Sequence, residues 1–374
     1  MSKIVTEDRQ RLHLQVRDRI RNMLIRGGSR LGDPLPTYRD LSHRMKVSLV
    51  TVQRAMDELL EEGVVRGWPG KGTFVARELS PEGRRLTQIG LVYYGSRRLF
   101  FSSDYLMEIF QGILLAAEDA SADVRIFSIK NEGRVGVHEI EESGVDGLLL
   151  LGVANEEYLA ELARELLPMI VVDYRTKRAP CDCVVVDNEQ GAERIIAHLA
   201  RLGHRRIAYL DGFSTDPLQA GDPVIETSDV RERREGYRAA MERLGLGDLT
   251  QVFGVAPGKP EAGIAAAAES VGLPSGAPTA VVAYDTTLAR QLCEELHRRG
   301  LSVPGRCSLA AVAGAGDAQI GALTCTFNRV RFTEMGRRAV ELLAQRCRNG
   351  KPAEALATLI GTDFVLGNTC APPA

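Results

Sequence analysis

No apolar run in this 374-residue chain approaches the ~18 to 20 residues that span a bilayer, so no membrane-crossing helix is expected. The opening stretch, MSKIVTEDRQRLHLQ, has acids and no apolar segment of the secretory type, which points to the cytoplasm. The seven cysteines, at 181, 183, 293, 307, 325, 347 and 370, include no C-x-x-C pair. An odd count without that pair argues against a disulfide framework and against a structural zinc site. Cys181 and Cys183 flank Asp182 with no further ligand nearby in sequence, and they read as ordinary thiols rather than a redox or metal pair. Also missing are G-x-S-x-G, a P-loop and G-x-G-x-x-G, which mark common hydrolase, phosphate and dinucleotide sites. No catalytic residue, cofactor or metal is therefore expected.

What is present is ordinary globular material, with 44% hydrophobic and 26% charged residues. At ~150 residues per domain the length fits two or three domains. The net charge of −2 is unevenly spread. Residues 1–78 hold 15 Lys and Arg against 10 Asp and Glu, a balance of +5, and the remaining 32 against 39 give −7. A basic head on an acidic body suits a protein whose head meets phosphate.

Residues 9–26 carry Leu12, Val16, Ile20, Met23 and Leu24 at helical spacing, and Gly27, Gly28 and Gly32 stop the helix. Thr37 follows Pro36 and can cap a short helix through Arg44. After a turn at 45–47, Ser48 is the next N-cap, opening a helix with Val52, Ala55, Met56, Leu59 and Leu60 on one face and Gly63 at its end. Two β-prone pieces, 64–66 and 73–75, enclose the turn sequence Gly67-Trp68-Pro69-Gly70-Lys71-Gly72. Helix, helix-turn-helix and hairpin in that order make a winged helix-turn-helix over residues 1–78. The polar LSPEGRRLT segment within 79–87 reads as a short linker.

From residue 88 to 374 apolar strand-like runs alternate with helical stretches. The runs are 88–94, 123–129, 145–152, 169–174, 183–187, 206–212, 250–255, 279–285 and 308–314. Continuous apolar strands between helices indicate parallel sheets covered on both faces. Nine strands are many for one small doubly wound sheet, so the economical reading is an α/β body of two Rossmann-type lobes with a cleft between them.

In a helix-turn-helix the second helix enters the major groove with its N-terminal residues toward the bases. Here Ser48, Leu49, Val50, Thr51, Gln53 and Arg54 stand there, because Val52, Ala55 and Leu59 face inward. Ser48 and Thr51 suit phosphate or base contacts, Gln53 adenine, and Arg54 guanine or phosphate. Thr37 and Arg39 lie at the start of the preceding helix, beside the DNA backbone. Gly70 and Lys71 form the wing tip, facing the minor groove or a phosphate. A helical hairpin with solvated charges is the plainer alternative for any one of these residues, but not for their joint order and spacing.

The segment 9–77 resembles the GntR family. The resemblance rests on Leu35-Pro36-Thr37-Tyr38-Arg39-Asp40-Leu41, Val47-Ser48, Thr51-Val52, Ala55, Leu59, Glu62-Gly63 and Gly70-Lys71-Gly72-Thr73-Phe74-Val75. It implies binding to a palindromic double-stranded operator as a homodimer. Leu49 and Gln53 depart from the basic residues usual at those positions, so the resemblance implies an operator unlike the commonest family sites, with Leu49 against a thymine methyl. The stretch 88–368 resembles LacI-type effector domains, which have a periplasmic-binding-protein-like fold. The matching residues include Val185-Val186-Asp187-Asn188, Leu202-Gly203-His204-Arg205-Arg206-Ile207, Arg233 with Gly236-Tyr237, and Ala280 to Asp285. A GntR head on a LacI-type body resembles the arabinose-responsive repressors of Gram-positive bacteria. That implies a repressor whose effector is a sugar or a sugar derivative.

Ligands of open α/β sheets sit at the carboxyl ends of strands. Asp173 ends one apolar run and Asp285 another, and each carboxylate can accept paired hydroxyls or simply cap a following helix. The resemblance places Asp173, Arg233 and Asp285 in the effector site. Arg233 can fork onto hydroxyls, a carboxylate or a phosphate, or remain a solvated charge. Ser103, Asp104 and Tyr105 lie on the loop after the first strand. Phe213 and Tyr284 offer flat faces for a sugar, or pack in the core. Tyr284 replaces an Asn usual in the family, and the stretch 214–229 borders the cleft like an insertion. His204 reads as structural, a cation at a helix C-terminus. Three other readings compete with an effector-gated regulator: an aminotransferase-like enzyme, a transporter's solute-binding protein, and a regulator governed by a protein partner.

Overall fold

The computed structural model describes residues 2–26, 29–77, 85–94, 100–101, 103–129, 139–140, 143–164, 167–212, 227–256, 259–316, 318–349 and 354–373. The head consists of α1 (Ser2–Arg26), α2 (Tyr38–Met45), α3 (Leu49–Glu61) and the hairpin β1 (Val65–Trp68) and β2 (Gly72–Val75). Local chemistry sets each boundary. Thr37 and Asp40 form a reciprocal capping box at α2, and Lys46, at φ 54, closes it in the left-handed region. The Ser48 hydroxyl accepts from Thr51 N at 3.2 Å and opens α3. Val16, Ile20 and Leu24 of α1 pack on Leu41, Val52, Ala55, Met56 and Leu59, and Val64, Val65 and Val75 close this core. The first helix starts earlier than residue 9, and the hairpin strands are longer than expected. Gly67 and Trp68 belong to β1, paired with Thr73 and Gly72, because Gly70 and Gly72 at φ 73 and 105 turn the chain tightly.

Polar groups on α1 dock the head on the body. Asn22 donates to Arg85 O at 2.7 Å, Asp18 pairs with Arg85 at 3.2 Å, and Gln15 donates to Ser121 O at 3.3 Å. Asp18 and Asn22 are both buried.

The first lobe begins with β3 (Gln88–Tyr94), α4 (Asp104–Asp119), β4 (Asp123–Ile129), β5 (Gly147–Leu151), α5 (Glu156–Ala163), β6 (Met169–Val172) and β7 (Asp182–Val186). The chain then builds the second lobe from α6 (Asn188–Arg201), β8 (Ile207–Leu210), α7 (Ser228–Arg243), β9 (Gln251–Phe253), α8 (Glu261–Gly272), β10 (Ala280–Asp285), α9 (Thr286–Arg298) and β11 (Ser308–Gly314). A small hairpin, β12 (Gln319–Ile320) and β13 (Leu323–Thr324), precedes β14 (Thr326–Val330). Next, α10 (Phe332–Asn349) and β15 (Ala357–Ile360) return to the first lobe, and β16 (Thr362–Val365) ends in the second. The sheet orders are β15-β7-β6-β5-β3-β4 and β16-β14-β11-β10-β8-β9. All pairings are parallel except β14 with β16. The central strands of each sheet are buried on both faces, which explains their unbroken apolar runs.

The nine expected strands are present, several of them shorter. The pattern missed the small hairpin β12–β13 and strands β14, β15 and β16. Strand β14 carries Asn328, whose buried amide donates to Gly191 O and Val312 O at 2.9 and 2.7 Å. The short edge strands β15 and β16 leave Leu359 and Phe364 exposed, so neither shows a clean apolar run. These elements make the chain cross between lobes three times, near residues 187, 331 and 361.

Helices α4 and α10 approach at two glycines. A Cβ on Gly112 would lie 2.0 Å from Thr333 O, and one on Gly336 2.1 Å from Ile109 O. Both neighbours are backbone and cannot swing away. Gly336→Ala is expected to cost ~1 to 3 kcal/mol by prising the helices apart. A thermal midpoint unchanged from the parent protein would show that the crossing tolerates the methyl.

His204 is buried, with Nδ1 2.9 Å from Thr279 Oγ1 and Nε2 2.9 Å from Ala371 O. Burial lowers its basicity. The residue is therefore structural as a neutral buried imidazole, not as a helix-end cation. Cys181 and Cys183 are buried free thiols, and burial pushes Cys183 up to about 11.

Candidate DNA-reading surface and candidate effector cleft

At the N-terminus of α3, Ser48, Leu49, Val50, Gln53 and Arg54 are exposed and Thr51 is half-buried. The Ser48 and Thr51 hydroxyls lie 2.7 Å apart, so part of their hydrogen-bonding capacity serves the cap. Leu49 and Val50 stand 45% and 61% exposed, an apolar pair at the helix tip with no core role. Thr37, Arg39, Gly70 and Lys71 are exposed as well. At the wing, the Lys71 ammonium lies 5.7 Å from the Trp68 ring centroid, and Trp68 packs on Phe74 with centroids 5.3 Å apart. Lys71→Ala is expected to weaken DNA binding alike on all sequences and to reduce the salt slope by about 1. Trp68, the chain's single tryptophan, gives the fluorescence readout. A changed sequence preference with an unchanged salt slope would contradict a phosphate role.

Between the lobes lies a cavity of about 610 Å³. Asp104, Tyr105 and Asp173 line it from the first lobe, and Arg233, Tyr284 and Asp285 from the second. Phe213 and residues 214–226 lie outside the described residues. The structure adds Tyr174, Asp229 and Phe332 to the lining. Tyr105 and Phe332 form a ring pair with centroids 5.5 Å apart.

Asp173 stands just after β6 at φ 63, in the left-handed region. It caps no helix. Burial and the neighbouring Asp229 carboxylate push its carboxyl up to about 7, and Arg233 only partly offsets them. The loop that follows is anchored by Glu156, which accepts from Tyr174 OH, Thr176 Oγ1, Lys177 N and Arg178 N at 2.8 to 3.1 Å. Burial alone would raise the Glu156 carboxyl, but these bonds hold it below the usual range.

Asp285 does two things at once. It caps α9, accepting from Leu288 N at 2.8 Å, and it faces the cavity. Burial raises its carboxyl against that bond. Arg233 is buried, with Nε donating to Asn188 Oδ1 at 2.8 Å and Nη1 to Tyr284 O at 3.1 Å. Its guanidinium lies 4.2 Å from the Tyr284 ring centroid. Two donors of the expected fork are thus held by the protein itself. The Tyr284 hydroxyl donates to Asp229. Its ring lies over Gly212, where a Cβ would come within 2.7 Å of it. Across the lobes, Glu232 accepts from Arg175 Nε at 2.8 Å and from Asn188 Nδ2 at 3.0 Å. One buried polar network thereby joins the loop behind Asp173 to the Arg233–Tyr284 pair.

Residues 12–75 match the model of bacterial regulatory proteins of the gntR family, and residues 196–370 match a periplasmic binding protein-like domain. The chain is 30% identical over 347 residues to an arabinose metabolism transcriptional repressor of Geobacillus stearothermophilus, covering 89% of this chain and 90% of that protein. It belongs to the GntR family of transcription regulators. Two solved structures share the fold of this GntR regulator. One is the lac repressor dimer bound to operator and an anti-inducer, with a TM-score of 0.62 at 17% identity over 77% of this chain and 96% of that one. The other is a LacI-family regulator of Enterococcus faecium with bound ribose, with a TM-score of 0.59 at 19% identity over 77% and 100%.

The GntR regulator's site contains residues that sequence reasoning passed over. Glu232 lacks any local pattern that marks it, and Asn188 is marked only as part of the LacI-type resemblance, because their bond joins residues 44 apart in the chain. Asp229 lay inside the stretch taken as an insertion. Trp68 had a readable signal, a lone tryptophan between wing glycines. Among the described residues no helix is long and apolar enough to cross a membrane, and no cluster of metal-ligating side chains occurs.

Proposed function

We propose that this regulator is a cytoplasmic, non-enzymatic homodimeric repressor that binds a palindromic operator and senses a sugar-like molecule in the interlobe cleft. The observation that carries the reading is the cavity of about 610 Å³, lined from both lobes in a chain that also carries a DNA-reading head. A polar cleft of that size suits a small ligand better than a protein partner. The ribose-bound structure supports a sugar by analogy. In this reading residues 1–78 read DNA, 79–87 join, and 88–374 sense. Thr37, Arg39, Ser48, Leu49, Thr51, Gln53, Arg54, Gly70 and Lys71 meet the operator. Asp104, Tyr105, Asp173, Phe213, Arg233, Tyr284 and Asp285 meet the effector.

The mechanism is a coupling between sites. A ligand that touches both lobes favours their closed arrangement, and three chain crossings act as the hinge. Closure changes the spacing of two heads in a dimer and so the fit to two half-sites. An operator selected from random DNA by the full chain supplies the test. Its affinity is expected to change by about 5 to 150-fold when a matching sugar is added. Operator affinity indifferent to every monosaccharide class would defeat the sensing part and leave DNA binding intact.

A further inference from the structure

The charge of the cleft says more about the effector than its volume does. Among the described residues four carboxylates line it, those of Asp104, Asp173, Asp229 and Asp285, against one cationic side chain, Arg233. That arginine is already engaged by Asn188, the Tyr284 carbonyl and the Tyr284 ring. Asp229 and Asp285 have partners of their own in the Tyr284 hydroxyl and the α9 N-terminus. No side-chain hydrogen bond within the described residues engages Asp104 or Asp173. A carboxylate or phosphate on the ligand would enter a field largely of its own sign, with two of the arginine's five N–H donors already taken. A neutral polyol would leave the surplus negative charge to be relieved only by protonation, as at Asp173, whose carboxyl the site already raises. A cation compensates it, and the Tyr105–Phe332 ring pair suits one too.

We propose that the cleft selects a small organic cation of the amino sugar type, its ammonium held at Asp173 beside Asp229 and its hydroxyls shared among the other polar groups. This rests on the sugar-sensing reading and narrows it to one charge class. It disfavours sugar acids and sugar phosphates as effectors.

The test uses the full chain at pH ~7.5, where the Asp173 carboxyl, raised to about 7, is mostly ionised and an amine of pKa ~7.7 to 8 is still largely charged. Glucose, galactose and mannose are each compared with the 2-amino-2-deoxy sugar and the uronate of the same series, by thermal shift and titration calorimetry. At least one amino sugar is expected to bind about tenfold or more tightly than its parent, a difference of about 1.4 kcal/mol. The uronates should show no binding. Asp173→Asn should erase the preference, and asparagine also tolerates the left-handed backbone found there. If Asp173→Asn fails to fold, Asp229→Asn is read instead, with the same expected loss of preference. A parent sugar that binds as tightly as its amine, or any uronate that binds, overturns the cation proposal while the sugar reading stands. Silence from the whole panel overturns the amino sugar proposal, and the sugar reading is then decided by the operator-affinity test with every monosaccharide class.

Discussion

Arg233→Ala is expected to destabilise the body by ~3 to 5 kcal/mol and to abolish the effector response. The size follows from what is left behind. Asn188, itself buried, loses the donor to its Oδ1, and the Tyr284 carbonyl loses another. A buried polar group stripped of its partner costs its full desolvation, ~1 to 3 kcal/mol each. Asp173, Asp229 and Asp285 also lose their common counter-charge. Arg233→Lys is expected to rescue little, because one ammonium cannot serve Asn188 and the Tyr284 carbonyl in the same planar arrangement. Chemical denaturation followed by circular dichroism checks the stability, and operator binding with and without effector checks the response. The head has its own core, so DNA binding in the absence of effector should persist. A loss under about 1 kcal/mol would mean that water replaces the guanidinium at no cost.

Asp173→Asn is expected to stabilise the ligand-free protein at pH 8 and to do so less as the pH falls. Burial, then Asp229, raises the native carboxyl to about 7, whereas an unfolded aspartate titrates near ~3.9. The native state therefore holds a proton that the unfolded chain has lost over that range. The group's contribution is fully present below pH ~4 and is lost as the pH rises through about 7. Asparagine removes the ionisation and keeps the backbone. The difference in thermal midpoint between variant and parent should widen from pH 5 to pH 8. A difference that stays flat would show that water solvates the Asp173 carboxylate and that its neighbours do not govern it.

The head was the more legible half. Thr37 with Asp40 and Ser48 with Thr51 are caps written within four residues of chain, and helix caps act locally. Val52, Ala55 and Leu59 fall on one side of α3 by spacing alone, so Leu49, Gln53 and Arg54 must face away. In the body, the runs at 88–94 and 308–314 appear as strands over the same residues, because a strand buried on both faces must be apolar throughout, and 123–129, an edge strand with Asp123 and Arg125 exposed, shows through alternation. Strands β14 to β16 escaped because edge strands and strands with a bonded polar residue need no such run. The positions of Asp173 and Asp285 at strand ends were readable, yet their difference in role was not. Asp285 begins a helix and caps it, while Asp173 is followed by a loop that Glu156 anchors from a helix upstream.

The amino-acid order by itself determined the winged head, the alternation that builds two parallel sheets, and the absence of catalytic signatures. These depend on periodicity and on interactions within a few residues, which one-dimensional pattern records. Tertiary structure alone decided that Arg233 is held by Asn188 and Tyr284, that Gly212 makes room for the Tyr284 ring, and that four carboxylates share one cleft. Those facts join residues from different strand ends, and their energies depend on burial and on charge across space. Neither quantity exists until the chain has crossed three times between its lobes.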